Sequence, residues 1–239
     1  MKVKVVQLEI TWEDVQSNVD RVDQLIGDWQ GDLIVLPEMW TTGFSMNAAV
    51  VSEKMDGLGV QAMSRWSQST GALVMGSLAI KDGEDFVNRC IMAFPDGSVQ
   101  HYDKQHLFTY AKEDQNYRPG QQAATVSWKG WNILPQICYD LRFPESVRYS
   151  DSRPHHLLVY MANWPARRSF AWQHLLIARA IENQCYTIGV NRVGQDGNGI
   201  YYSGGTSILD YSGQSLLPHS DIELSSEREL SLDDCIKFR

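Results

Sequence analysis

The stretch LIVLP, residues 33–37, contains no polar side chain and is too short for a helix. It therefore predicts a strand covered on both faces, and this is the strongest constraint in the chain, because layers must lie on either side of its sheet. HLLVYMAN (156–163) makes the same demand further on. Between these runs the period changes. From Glu13 to Trp29 the apolar Val15, Val19, Val22, Leu25, Ile26 and Trp29 fall at helical spacing. Further helices are predicted from about Val60 to Ser69 and from about Arg168 to Asn183. FPESVRYS is predicted to start another, with Pro144 in its first turn.

KVKVVQL (2–8) reads as the first strand, and ALVMGSLAI (72–80) with FVNRCIMAF (86–94) as a hairpin around KDGED. SVQHYDK (98–104) follows. ATVSWKGWNILPQIC makes two strands ending at Cys138, and YTIGVNRVG and YYSGGTSILD close the sheet system. Strand–helix units interrupted by hairpins predict an α/β fold with mixed sheets. No linker separates them, so one domain is expected over residues 1–239, with its core at about 3–210 and a polar, poorly patterned segment at 211–239.

Composition narrows the function. With 43% hydrophobic and 21% charged residues, the chain can fill a core of ordinary globular kind. A formal charge of −8 argues against a nucleic-acid backbone or an anionic membrane surface as partner. MKVKVVQLEITWED has no apolar block long enough for a signal peptide, and no run approaches a membrane span, so a cytoplasmic location is expected. Cys90, Cys138, Cys185 and Cys235 are scattered with no C-x-x-C pair, which fits reduced thiols.

Three strands end on chemically useful groups: LIVLP on Glu38, HYD on Lys104 and LPQI on Cys138. Ligand sites in α/β folds gather at the carboxyl ends of strands. A carboxylate, an ammonium and a thiol brought together there form a nucleophilic site without histidine. Cys138 would sit at a strand-to-helix elbow, with the following backbone N–H groups pointing the same way. Each residue alone also has an ordinary reading: Cys138 as a buried small hydrophobe, Glu38 as a helix cap, Lys104 as a surface lysine.

The motifs LPEMWTTGF (36–44), YDKQHLF (102–108) and CYDLRFPE (138–145), in that order, resemble the nitrilase superfamily of carbon–nitrogen hydrolases. NWPARRSFAWQHLLIARAIENQ (163–184) and SGGTSILD (203–210) are similar to that family's later segments, so the resemblance runs from Val3 to about Asp210. It implies an α-β-β-α sandwich, a homodimer or higher homo-oligomer, and a small-molecule amide as substrate. By motif it makes Glu38 the general base, Lys104 the catalytic lysine, Cys138 the nucleophile and Glu113 a second glutamate. The Tyr139 backbone N–H would assist Lys104 at the oxyanion. Lys104 would favour the thiolate and Glu38 would take its proton. No metal or organic cofactor is required.

Within the family, PEMWTTGF, CYDLRFPE and ANWPARR most resemble omega-amidases, which remove the terminal amide of short 2-oxo dicarboxylate monoamides such as 2-oxoglutaramate. The alternatives are an N-carbamoyl hydrolase, an aliphatic amidase, a nitrilase, or a non-catalytic interaction protein on this fold. A carboxylate-bearing substrate needs a cation besides Lys104. Arg142 is one candidate, its alternative being an ion pair with Asp140 or Glu145 that braces the elbow. Arg167 and Arg168 would be solvated, or reach the site or a dimer interface. Trp40, Phe44, Trp164 and Tyr202 are candidate pocket walls, and His106 is read as structural or supportive.

Overall fold

The computed structural model describes residues 1–239. The first half of the chain runs β1 (Lys2–Gln7), α1 (Val15–Ile26), β2 (Leu33–Val35), α2 (Ala48–Val51), α3 (Leu58–Thr70), β3 (Leu73–Asp82), β4 (Asp85–Ala93) and β5 (Val99–Asp103). The second half runs β6 (Val126–Trp128), β7 (Trp131–Ile137), β8 (Leu157–Met161), α4 (Ser169–Asn183), β9 (Tyr186–Val190), β10 (Val193–Gln195), β11 (Tyr201–Ser203), β12 (Ser207–Leu209), β13 (Leu224–Glu229) and α5 (Leu232–Phe238).

Two mixed sheets result, ordered β13-β1-β2-β3-β4-β5 and β12-β9-β8-β7-β6, beside a β10–β11 hairpin. In the first, β1, β2 and β3 are parallel, with Val3 opposite Leu33 and Leu33 opposite Leu73. In the second, β7, β8 and β9 are parallel, with Ile133 opposite Leu157 and Leu157 opposite Tyr186. Antiparallel strands flank both trios.

The apolar run at 33–36 shows why the layers stack. Leu33 and Val35 pack with Ile133, Ile137, Val159 and Ile188 between the two sheets. Ile34 and Leu36, one residue out of phase, pack outward with Val19, Val22, Met63 and Trp66 of α1 and α3. On the far side Leu134, Leu158 and Tyr160 take Trp172, Leu176 and Ala180 of α4. The order helix, sheet, sheet, helix is the expected α-β-β-α sandwich. No helix is long and apolar enough to cross a membrane.

The structure corrects three readings. FPESVRYS starts no α-helix; Cys138–Arg142 and Pro144–Ser146 form separate 3₁₀ turns. Pro144 holds the preceding Phe143 out of the helical region, at φ −116° and ψ 84°, which separates the two turns. YTIGVNRVG and YYSGGTSILD each break into two strands, at Asn191–Arg192 and at Gly204–Thr206. The segment 211–239 does not lie outside the core: it supplies β13, which pairs antiparallel along all of β1, and buries Leu217, Leu230 and Cys235 with the central cluster. Its LSSERE strand is half-exposed to exposed, so it carries no apolar alternation to read.

Candidate active site

The strand exits meet as the sequence implied. Leu36-Pro37 carries the chain from β2 to Glu38, Lys104 follows β5 directly, and Cys138 follows β7. Glu113, on the 3₁₀ turn Glu113–Gln115, joins them. Lys104 Nζ lies 2.8 Å from Glu38 Oε1 and 2.9 Å from each Glu113 oxygen, and all three side chains are fully buried. Such burial is tolerable only when every charged atom is paired and hydrogen-bonded. Here it is. Asn88 Nδ2 donates to Glu38 at 2.9 Å and to Glu113 at 3.2 Å. The Asn163 N–H donates to Glu38 Oε2 at 2.8 Å, and the Phe108 N–H to Glu113 Oε2 at 2.6 Å. Asn88 is itself fixed by the Ser77 hydroxyl, which donates to its Oδ1 at 2.9 Å and accepts the Met39 N–H at 2.9 Å.

Backbone strain collects at the same place. Cys138 has φ +46°, Met39 next to Glu38 has φ +42°, and Lys112 next to Glu113 has φ +61°. A left-handed non-glycine residue costs on the order of 1–3 kcal/mol and persists only where its surroundings fix it. For Cys138 the fixing group is Asp140. Its Oδ2 accepts the Ile137 N–H at 2.9 Å and the Tyr102 hydroxyl at 2.8 Å. Its Oδ1 accepts the His106 N–H at 3.0 Å and lies 2.8 Å from His106 Nδ1. One buried carboxylate thus ties the segment around Lys104 to the Cys138 elbow. His106, stacked on Phe143 with centroids 3.7 Å apart, is structural as expected.

The charges shift one another. Burial pulls Lys104 down, but the Glu113 and Glu38 carboxylates outweigh it and hold the ammonium above its ordinary range. Burial, reinforced by Glu38 and opposed by Lys104, holds Glu113 above the usual carboxylate range. The Cys138 thiol is pushed well up, first by desolvation and then by Glu38, with Lys104 opposing. Lys104 does favour the thiolate, but burial and Glu38 outweigh it and keep the proton on sulfur in the resting site. Alkylation by iodoacetamide is therefore expected to accelerate with pH without levelling off near the ordinary thiol pKa of about 8.5. Cys90, Cys185 and Cys235 are buried, so a single adduct by mass spectrometry reports Cys138. A plateau at neutral pH would contradict the assignment.

Cys138 and Lys104 open onto a cavity of about 550 Å³ whose lining includes Phe44, Tyr139, Arg142, Trp164 and Tyr202. Of the residues singled out from sequence, Trp40 lies elsewhere, buried against Trp66 in the outer core. The other catalytic and pocket candidates meet at this site, with Glu38 and Glu113 enclosed behind it. The Phe44 ring lies 5.0 Å from Lys104 Nζ, and the Tyr202 hydroxyl donates to Asp196 at 2.9 Å. Arg142 makes no ion pair with Asp140 or Glu145; its guanidinium lies 5.2 Å over the Trp164 ring. Arg167 and Arg168 also line the cavity. Asn88, Asn163, Trp12 and Asp196 escaped the sequence reading. Asn88 had a signal, as a lone amide inside the apolar run FVNRCIMAF, and Asn163 another, at the exit of HLLVYMAN. Trp12 and Asp196 had none.

Residues 2–236 match the family model for carbon-nitrogen hydrolases. The chain is 46% identical over 219 residues to the omega-amidase YafV of Yersinia enterocolitica, covering 90% of this chain and 83% of that protein. It is 30% identical over 245 residues to a 2-oxoglutaramate amidase of Bacillus subtilis, covering 99% and 93%. The crystal structure of XC1258 from Xanthomonas campestris, a CN-hydrolase superfamily protein with an arsenic adduct in its active site, aligns with a TM-score of 0.96 and 38% identity. That alignment covers 99% of this chain and 92% of the other. The chain belongs to the carbon–nitrogen hydrolase family, the nitrilase superfamily. It is a hydrolase of carbon–nitrogen bonds other than peptide bonds, and its similarity is to the omega-amidase branch.

Proposed function

We propose that this enzyme cleaves the terminal amide of short 2-oxo dicarboxylate monoamides, 2-oxoglutaramate being the type, to the dicarboxylate and ammonia. The observation that carries the reading is the joining of the buried Glu38–Lys104–Glu113 group with Cys138 at a cavity walled by arginines. The names of the omega-amidase and 2-oxoglutaramate amidase relatives support the choice of amide.

The thiol proton passes to Glu38 as Sγ attacks the amide carbonyl carbon, because the resting thiol is protonated. The oxyanion is held by Lys104 and the Tyr139 backbone N–H. The carbon–nitrogen bond breaks as Glu38 returns the proton to nitrogen, and ammonia leaves a thioester. Water then attacks the thioester carbonyl while Glu38 takes its proton. The carbon–sulfur bond breaks, sulfur recovers the proton, and the acid departs. Glu113 holds Lys104 in place and charged. Arg142 faces the substrate carboxylate, and Phe44, Trp164 and Tyr202 wall its carbon chain.

The same reading makes the enzyme cytoplasmic, since its nucleophile must stay reduced, as all four cysteines are here. It makes it a homodimer, for which the exposed Phe170, His174 and Ile181 on one face of α4 offer an interface. Ammonia release from 2-oxoglutaramate, run beside a simple nitrile and an N-carbamoyl amino acid, tests the substrate. Turnover of the oxo-amide well above the other two is expected. Turnover confined to either of the others would replace this branch with that one.

A further inference from the structure

The arginines at the cavity differ from all others in the chain. Every other arginine donates a hydrogen bond or forms an ion pair within the protein. Arg142, Arg167 and Arg168 form none, and all three line the cavity. Each guanidinium instead lies over an aromatic ring: Arg142 over Trp164 at 5.2 Å, Arg168 over Phe108 at 5.0 Å and Arg167 over Tyr110 at 5.9 Å. Stacking occupies the flat face of a guanidinium and leaves its N–H edge free to donate. The two carboxylates on the same lining, Glu13 and Asp196, are engaged by the Ser45 hydroxyl and by Tyr202, Asn198 and Ile200. Three cations without a protein anion among their partners thus leave a positive local field that an incoming anion relieves.

Depth separates the three. Arg142 and Arg167 are exposed, and Tyr110 beneath Arg167 is 77% exposed, at the rim. Arg168 is half-buried, and its backbone carbonyl accepts the Trp164 indole N–H at 2.8 Å, which fixes the residue on the wall that Arg142 also covers. Burial and the neighbouring Arg167 and Arg142 pull Arg168 down, whereas Cys138 acts in the opposite sense. The most enclosed cation thus sits within electrostatic reach of the nucleophile.

We propose that Arg168 is a specificity-determining residue, donating its free edge to the 2-oxo acid end of the substrate beside Arg142. The unpaired arginine wall then admits a 2-oxo acid amide and repels the corresponding amino acid amide, whose 2-ammonium would enter the same field. This rests on the 2-oxo monoamide reading of the site and goes beyond it by naming the residue that selects the oxidation state at C2.

The test is steady-state kinetics on 2-oxoglutaramate, L-glutamine and the uncharged butyramide, for wild type, Arg168→Met and Arg168→Lys. Methionine keeps the apolar stem over Phe108 and removes the donors. The expected result is a fall of about 10²-fold in kcat/KM for 2-oxoglutaramate, mostly in KM, as for truncating one member of a hydrogen-bonded charge pair. Butyramide should lose far less, and the preference for 2-oxoglutaramate over L-glutamine should narrow. Lysine should recover part of both. Equal losses on 2-oxoglutaramate and butyramide would make Arg168 merely structural, and no loss on either would remove it from recognition. Wild type inert toward 2-oxoglutaramate but active on butyramide would sink the substrate reading itself. That outcome is distinct from an active wild type with an insensitive Arg168→Met.

Discussion

Cys138→Ala is expected to lower ammonia release by about 10⁵–10⁶-fold, as for other enzymes stripped of their nucleophile. Its melting temperature should stay within about 2 °C of wild type, since no mechanism for a large stability change applies. The backbone at Cys138 is left-handed, and alanine carries the same Cβ, so the strain is unchanged. The lost atom is a thiol that neither bridges another cysteine nor satisfies a buried charge. Beyond apolar packing at the edges of two core clusters, which the alanine Cβ largely keeps, its contact with the backbone is a 3.9 Å approach to the Asn163 carbonyl. Glu38, Lys104 and Glu113 keep all their partners without it. Rapid quench and mass spectrometry give the complementary readout: an acyl adduct on wild type during turnover, and none on the alanine variant. A folded Cys138→Ala protein that still releases ammonia at the normal rate would end the thioester mechanism.

The reason so much of this site was legible lies in where its residues stand. Glu38, Lys104 and Cys138 each follow a strand, and a strand's period shows where it ends. Once the apolar run at 33–36 demanded cover on both faces, those ends had to gather along sheet edges. Electrostatics were less legible. The position of Cys138 was plain, but the sign of its shift depends on Glu38 and on burial, and neither distance is written in the chain. The free edges of Arg142, Arg167 and Arg168 were equally hidden, because an unpaired arginine and a bridged one look the same in sequence. β13 went unread for a different reason. It is bound through backbone pairing to β1, from Lys2 opposite Glu229 to Gln7 opposite Leu224, and backbone pairing leaves no mark on side-chain polarity.

Lys104→Met should cost stability as well as activity, and the stability loss should depend on pH. The ammonium stands between two fully buried carboxylates, 2.8 Å from one and 2.9 Å from the other. Breaking a buried ion pair by removing one partner typically costs about 3–5 kcal/mol, because the remaining charge is left uncompensated. Here two are left. Like charges at such range cannot both stay ionised, so one carboxylate takes a proton. Glu113 is the one to do so: burial and Glu38 already hold it up, and the substitution removes Lys104, which opposed them. Its folded-state pKa then lies further above the unfolded value of about 4.3. A carboxyl group raised on folding contributes stability that is fully present below its unfolded pKa and lost as pH rises through its folded one. The gap between variant and wild type should therefore widen from pH 5 to pH 8, the reverse of ordinary acid denaturation, and urea titrations across that range would read it. A gap that is constant or closes as pH rises would mean that Glu113 does not carry the proton. Equal stability at every pH would mean that the three charges are not coupled at all.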